Sequence, residues 1–497
     1  MDSYLVIKIL KRFIESIDNK IKSISLASHM KKKLKVLFLS VEVAPFAKVG
    51  GLGDVAGALP PALFALGVDI RICLPLHSFI DQKKYGLKKI NSFQSLIANK
   101  KTITNVYETK LPGSDVVVYF LENFYLKSQH VYNSSKTRVS DYERFAIFSK
   151  LALEALAPLD FLPEVIHFND WHLGLLPLLI KNSTDKKIKK IKTILTIHNL
   201  ASQGICSAKV LDLIGINKFP AKRIKAGNIN FLAEGILGAN KITTVSPTYA
   251  EEILTAEQGF GLEKLLLSRR KDLHGILNGI DTIFFDPAAD KFIFEKYDRA
   301  SLDAKKENRR ILIKKLGWTA NSLPLAGVVT RFVWQKGMDL FNEDFFKLPC
   351  RFVFLGAGDP QFEKQLQQLA RQRKDKFKVL IKFDEKLAHQ IYASSDLFLI
   401  PSRFEPCGLT QMIAMRYGTV PVVRRTGGLK DTVDNKVGFS FDQMTPQAFY
   451  RIAEKALSVY RGQPKLWRAK QLAGMERDFS WWNSARKYLK VYRGSGD

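Results

Sequence analysis

The chain is poor in cysteine, in acidic side chains and in long apolar runs, and each shortage excludes something. Its four cysteines, Cys73, Cys206, Cys350 and Cys407, lie far apart and form no C-x-x-C pair. That excludes a disulfide framework or a Cys-rich zinc site and fits a reducing cytoplasm. No hydrophobic run reaches the ~18 residues a bilayer span needs, because Lys, Arg, Asp or Glu interrupts every one, so no transmembrane segment is expected. Tandem repeats and low-complexity tracts are missing as well. Acidic residues number 48 against 77 lysines and arginines, a formal net charge of +29. An excess of this size raises nucleic acid or another polyanion as a partner. The pattern argues otherwise: Lys31-Lys32-Lys33, Lys186-Lys187 with Lys189-Lys190, and Arg269-Arg270-Lys271 are short clusters without interleaved aromatics. A basic surface is expected, and no nucleic-acid partner.

What is present describes a large α/β protein. A length of 497 residues accommodates roughly two to four domains. Residues 1–33 stand apart: Val6, Leu10, Phe13, Ile17, Ile21 and Ile24 recur at spacings of three and four, with Lys8, Lys11, Arg12, Lys20 and Lys22 between them. This reads as a basic amphipathic helix, either a dispensable leader before Met30 or a segment that docks on the protein or on a membrane surface. It lacks the layout of a signal peptide.

From Leu34 short β-rich runs alternate with helical stretches: Val36–Val43, Val68–Leu74, Val116–Leu121, Val165–Phe168, Thr193–Ile197 and Ile242–Val245. A second series follows: Leu325–Thr330, Phe352–Leu355, Val379–Ile381, Leu397–Ile400 and Val420–Val423. Near-continuous apolar strands separated by helices are the signature of parallel sheets covered on both faces. The expectation is two Rossmann-like, doubly wound domains facing across a cleft: residues 34–280, a junction over 281–324, and residues 325–478, with a final amphipathic helix over 479–497. Ligands of such sheets bind beyond the carboxyl ends of the strands.

The motifs fall at those ends. Lys48-Val49-Gly50-Gly51-Leu52-Gly53-Asp54 follows the first run and precedes a helix-like stretch over Val55–Leu66. Its glycines permit close backbone approach, and amides at a helix start favour an anion, so the loop reads as a phosphate cradle. His167-Phe168-Asn169-Asp170-Trp171-His172, Thr196-Ile197-His198-Asn199, Thr244-Val245-Ser246-Pro247 and the turn containing Asn278 end later strands. In the second half, Arg331 and Lys336 are two cations suited to a diphosphate leaving group. Gly356 and Gly358 do not complete G-x-G-x-x-G, since the third position is Gln361. The most specific stretch is Ser402-Arg403-Phe404-Glu405-Pro406-Cys407-Gly408-Leu409-Thr410-Gln411, where a carboxylate for sugar hydroxyls precedes amides for phosphate. Thr426-Gly427-Gly428-Leu429 then repeats the Gly-Gly-Leu turn.

Taken together and in order, Lys48–Asp54, His167–His172, Thr196–Asn199, Arg331–Gly337 and Ser402–Gln411 resemble the bacterial glycogen synthases and plant starch synthases, retaining glucosyltransferases of the two-domain GT-B fold. The resemblance runs from about Leu34 to about Tyr492. It implies transfer of glucose from ADP-glucose to the non-reducing end of an α-1,4-glucan, without metal or cofactor, in the cytoplasm or in a plastid. It also implies roles. Lys48, Gly50, Gly51 and Asp54 would meet the donor and acceptor side with Asp170, and His198 would approach the reacting glucose. Arg331 and Lys336 would stabilise the departing diphosphate, and Glu405 would hold sugar hydroxyls. Asn278, Cys407, Gly408, Leu409 and Thr410 would surround glucose and phosphates, and Phe383 would stack on adenine. Front-face displacement is the favoured course. Departures from the family pattern are Ser202 for a usual Tyr, Ala233-Glu234 for a Lys-containing turn, and Phe285-Asp286-Pro287 for Trp-Asn-Pro. Readings from other classes are a related enzyme, such as an epimerase or phosphorylase, and a silent glucan- or polyanion-binding protein.

Overall fold

The computed structural model describes residues 33–133, 139–319 and 322–494. The amphipathic leader expected over 1–33 lies outside these, except for Lys33. Strands before residue 280 are β1 (Lys35–Leu39), β2 (Asp69–Pro75), β3 (Lys88–Ile97), β4 (Lys100–Lys110), β5 (Val117–Glu122), β6 (Val165–Asn169), β7 (Lys192–Ile197), β8 (Ile205–Ser207), β9 (Asn228–Asn230), β10 (Lys241–Thr244) and β11 (Leu273–Gly275). The later ones are β12 (Leu325–Val329), β13 (Arg351–Gly356), β14 (Phe377–Ile381), β15 (Leu397–Ile400), β16 (Val420–Arg424) and β17 (Phe439–Phe441).

The first sheet has the order β11-β10-β7-β6-β1-β2-β5-β4-β3. Its central strands are parallel and buried on both faces, as uninterrupted apolar runs require: β6 has no exposed residue, and β1 only one partly exposed. Its β5-β4-β3 edge is antiparallel, a hairpin the apolar runs do not reveal. β3 and β4 alternate between exposed and covered positions and carry Lys88, Lys89, Lys100 and Lys101. Their two-residue turn is Ala98-Asn99, with φ of 49° and 61°, a hairpin geometry usually marked by Asn-Gly. The second sheet, β14-β13-β12-β15-β16-β17, is parallel throughout. Its core is rich in aromatic rings, with Phe345 stacked on Phe449 at 4.4 Å and Phe346 on Phe377 at 4.3 Å.

Residues 281–319 knit onto the helices of the second sheet. Asp290 accepts a hydrogen bond from the Tyr417 hydroxyl at 2.6 Å and lies 2.7 Å from His389 Nδ1. Lys305, buried in the Lys305–Lys315 helix, donates to the carbonyls of Tyr392 and Ala393 and to Thr419 Oγ1. The Trp481–Arg493 helix packs against the Gly51–Ala65 helix of the first half. There Tyr492 Oη lies 2.6 Å from His167 Nδ1, and the Ser484 hydroxyl donates to the Leu277 carbonyl. Among the described residues, no helix is long and apolar enough to cross a membrane.

Candidate active site

A cavity of about 690 Å³ lies where the carboxyl ends of the two sheets meet. It brings together Lys48, Gly50, Gly51, Asp54, Asp170, His198 and Asn278 from the first half with Arg331, Lys336, Glu405, Cys407, Gly408, Leu409 and Thr410 from the second. Residues as far apart in sequence as Lys48 and Thr410 therefore face one volume. Phe383 lies outside it. That ring, 89% exposed, lines an adjoining cavity of about 400 Å³ whose wall shares Lys48, Val49 and Arg331 with the first.

The loop after β1 differs from the phosphate cradle expected of it. The helix begins at Gly51, four residues before Val55, so Gly50 is its N-cap. The amides of Val49 and Gly50 donate to a carboxylate of the chain itself, Glu42 Oε2, at 2.7 and 2.8 Å. The other Glu42 oxygen accepts from the Tyr132 hydroxyl at 2.6 Å. These two amides are therefore engaged by the protein, and Lys48 supplies the loop's positive charge. Lys48 Nζ pairs with Asp54 at 2.7 Å. Burial pushes the Asp54 carboxyl up, against the opposing pull of Lys48. A Cβ on Gly50 or Gly51 would meet no atom within 4 Å, so both glycines leave cavity space open.

His198 follows β7 and Asp170 follows β6, adjacent parallel strands that bring the two residues side by side. Asp170 has φ of 54° and ψ of −169°, a conformation that costs a non-glycine residue on the order of 1–3 kcal/mol. It is held by its own amide, which donates to the Thr196 carbonyl at 2.8 Å, and by Oδ1, which accepts the His198 amide at 2.7 Å. Burial raises the Asp170 carboxyl to about 7, the amides of His198 and Asn199 opposing the rise. His198 is pushed down to about 3 by burial and stays neutral at ordinary pH. Asn169 Nδ2 donates to the Leu39 carbonyl at 2.8 Å, which fixes its amide, so its Oδ1 accepts from His198 Nε2 at 2.9 Å. A neutral ring protonated at Nε2 keeps Nδ1 as an acceptor.

In the second half, Lys336 Nζ reaches Glu405 Oε2 at 2.5 Å, and the Ser402 hydroxyl donates to the same oxygen at 2.9 Å. Both partners of the ion pair are largely covered. Burial pushes the Cys407 thiol up to about 12, so it is no thiolate nucleophile. The second Gly-Gly-Leu turn works by packing. A Cβ on Gly427 would stand 2.0 Å from the Glu405 carbonyl oxygen, and one on Gly428 2.1 Å from that of Cys407. The turn thus supports the Glu405 loop from behind.

Sequence reasoning missed Glu42 and Tyr132, and also the polar seam joining the halves. Glu252 accepts from Thr426 Oγ1 and the Gly427 amide, both at 3.0 Å, Asp431 accepts from Thr248 Oγ1 at 2.6 Å, and the Ser246 hydroxyl donates to the Pro406 carbonyl at 2.6 Å. One signal for Glu42 existed: a carboxylate inside an apolar run needs buried partners.

Comparison with known proteins decides the family. Residues 35–268 match the model of the starch synthase catalytic domain, and residues 311–468 that of glycosyl transferases group 1. A glycogen synthase from Thermotoga maritima is 41% identical over 93% of this chain and 98% of its own length. This chain belongs to the glycogen synthase family. Another family member, from Streptococcus pneumoniae, is 38% identical over 92% of this chain and 99% of its own. The catalytic domain of starch synthase IV from Arabidopsis thaliana, solved bound to ADP and acarbose, superposes with a TM-score of 0.85 at 34% identity. That match covers 93% of this chain and 99% of that one. The two-domain α/β glycosyltransferase fold of the family is the fold described above, with its cleft between the two sheets.

Proposed function

We propose that the protein transfers glucose from ADP-glucose to the non-reducing end of an α-1,4-glucan with retention of configuration. The observation that carries this reading is the single cavity in which Lys336, Arg331 and Glu405 face His198 and Asp170 across the two halves of a chain of this family. The starch synthase structure with ADP supports a nucleoside diphosphate as leaving group.

The diphosphate lies against Arg331 and Lys336, with Lys48 closing from the other side. As the bond between glucose C1 and the diphosphate oxygen breaks, negative charge grows on that oxygen, and fixed cations stabilise it more than they stabilise the bound donor. The acceptor hydroxyl attacks C1 from the same face, and its proton passes to the departing phosphate oxygen. Glu405 holds glucose hydroxyls through Oε1, its Oε2 being fixed by Lys336 and Ser402. His198 accepts a glucose hydroxyl at Nδ1. The neutral ring gives a hydrogen bond without repelling the positive charge that develops at C1. Asn278 and the Cys407–Thr410 turn border the glucose and phosphates, and the exposed Phe383 ring stacks on adenine. The acceptor runs past Trp171 toward Tyr142 and Phe260, which line a further open groove with Ser202 and Gln203. Aromatic walls with amide and hydroxyl groups suit a glucan, and Ser202 in place of a Tyr widens the entrance.

The polar seam from Glu252, Thr248 and Ser246 to the second half lies beside the cleft, where opening and closing would exclude water from the donor. The test is incubation with ADP-glucose or UDP-glucose, with and without glycogen, measuring nucleotide release and glucan growth. Glucan-dependent release from ADP-glucose is expected. Donor conversion without glucan would identify an epimerase or hydrolase, and no release from either donor would overturn the reading.

A further inference from the structure

At the opposite end of the first sheet from the active site lies a cavity of about 730 Å³. Its floor is formed where strands begin: Lys35 opens β1, Val165 opens β6 and Lys192 opens β7. Lys187, Lys190 and Arg493 complete a ring of five cations, and the one carboxylate of the lining is Glu164, which accepts the Lys35 amide. None of the five cations forms an ion pair among the described residues. The remaining wall is apolar, with Leu162, Pro163 and Ile191.

Five like charges around one concavity repel one another, and an anion seated among them relieves that repulsion. Lysine ammonium groups are compact point charges that suit phosphate oxygens from several directions. The volume lies in the range of small-molecule sites and is generous for a single inorganic phosphate. We propose that this cavity is a second ligand site, for a small organic molecule carrying two or more phosphate groups. Its apolar wall receives the carbon skeleton and the five cations receive the phosphates. Such a ligand would bear on the active site through the scaffold. Tyr492, which lines the cavity, is hydrogen-bonded to His167 on β6, and His167 Nε2 lies 2.5 Å from Thr196 Oγ1 on β7. Those two strands are followed directly by Asp170 and His198.

The test is calorimetric titration of the full chain with glucose 1,6-bisphosphate and, separately, with inorganic triphosphate, in the presence of saturating ADP. A saturable site of about one per chain is expected. In the triple variant Lys187→Ala/Lys190→Ala/Lys192→Ala that site should weaken at least tenfold, while ADP binding and the thermal midpoint without ligand stay as in the parent. These lysines are exposed, so the variant is expected to fold. Equal binding by parent and variant, no binding by the parent, or uptake without defined stoichiometry that vanishes in moderate salt would each overturn the proposal. Loss of nucleic-acid retention in the variant, with no small-anion site in the parent, would reassign the patch to a macromolecule.

Discussion

Glu42 and Gly50 are joined by a 2.8 Å hydrogen bond from the Gly50 amide to Oε2, which also accepts the Val49 amide. One buried carboxylate therefore sets the shape of the loop that carries Lys48. Glu42→Ala leaves two amides and the Tyr132 hydroxyl without their acceptor. The expected loss is about 1–3 kcal/mol of stability, read by urea denaturation. A fall in kcat/KM of about tenfold or more should accompany it, since a misplaced loop misplaces its lysine. Glu42→Gln, which keeps an acceptor oxygen, should fall between. Unchanged kcat/KM in the alanine variant would show that the loop holds its shape unaided.

Lys336 is expected to act on turnover more than on binding. Its charge is fixed against Glu405 before the diphosphate develops further charge, so the interaction gains strength as the bond breaks. Lys336→Ala should lower kcat by on the order of 100- to 1,000-fold, the loss typical of removing a fixed electrostatic stabiliser, with a smaller change in KM for ADP-glucose. A variant whose KM rises while kcat holds would place Lys336 in ground-state binding only.

The parts legible in the sequence were those repeated along the strand direction or bunched in one loop. Parallel strands buried on both faces leave unbroken apolar runs, so β1, β6, β7, β12 and β15 were readable, and with them the loops at their carboxyl ends. The β3–β4 hairpin was not, because an edge exposed on one face alternates with lysines and its Ala98-Asn99 turn lacks the usual Gly. Glu42 escaped because its partners lie 7, 8 and 90 positions away, and a carboxylate in an apolar run calls for partners without saying which residues they are. The seam of Glu252 and Asp431 was hidden for the same reason, each partner lying in the other half of the chain.

The pH dependence of the reaction should reflect Asp170 and not His198. His198, held down to about 3, stays neutral above pH 5 and contributes no step there. Asp170, raised to about 7 by burial, changes charge near neutrality. With the carboxylate as the form that accepts a hydroxyl, kcat/KM should rise with pH through about 7 and then level. Asp170→Asn should remove that step along with most of the activity. His198→Ala should lower turnover and leave the step in place, and wild-type turnover in that variant would remove His198 from the site.

Acid should destabilise the fold well above the ordinary range of carboxylate protonation, with Asp170, raised to about 7, offsetting about one histidine's share. His167, His172 and His198 are held down to about 3 and His77 to about 4, each by burial. Their unfolded value is near 6.5, so below that pH the unfolded chain takes up protons that the folded chain refuses. Stability present above pH 6.5 is therefore lost as pH falls toward 4, at up to about 1.4 kcal/mol per pH unit for each histidine. Urea midpoints measured from pH 7.5 to 4.5 should fall steeply below 6.5. A flat profile down to pH 5 would mean that these rings protonate in place.

Donor choice is expected to turn in part on Phe383. A ring 89% exposed is costly in apolar contact with water, and it sits at the rim of a cavity shared with Lys48 and Arg331. A base stacked on it covers that surface, a contact worth about 1–3 kcal/mol by alanine substitution. Phe383→Ala should therefore raise KM for ADP-glucose roughly 5- to 150-fold while leaving kcat near the parent value, because the ring touches no reacting atom. Phe383→Tyr, with the same stacking face, should restore KM. The larger purine gains more from the ring than a pyrimidine does, so the alanine variant should lose more with ADP-glucose than with UDP-glucose. Equal losses with both donors would move the selection of the base to the loops beside the ring.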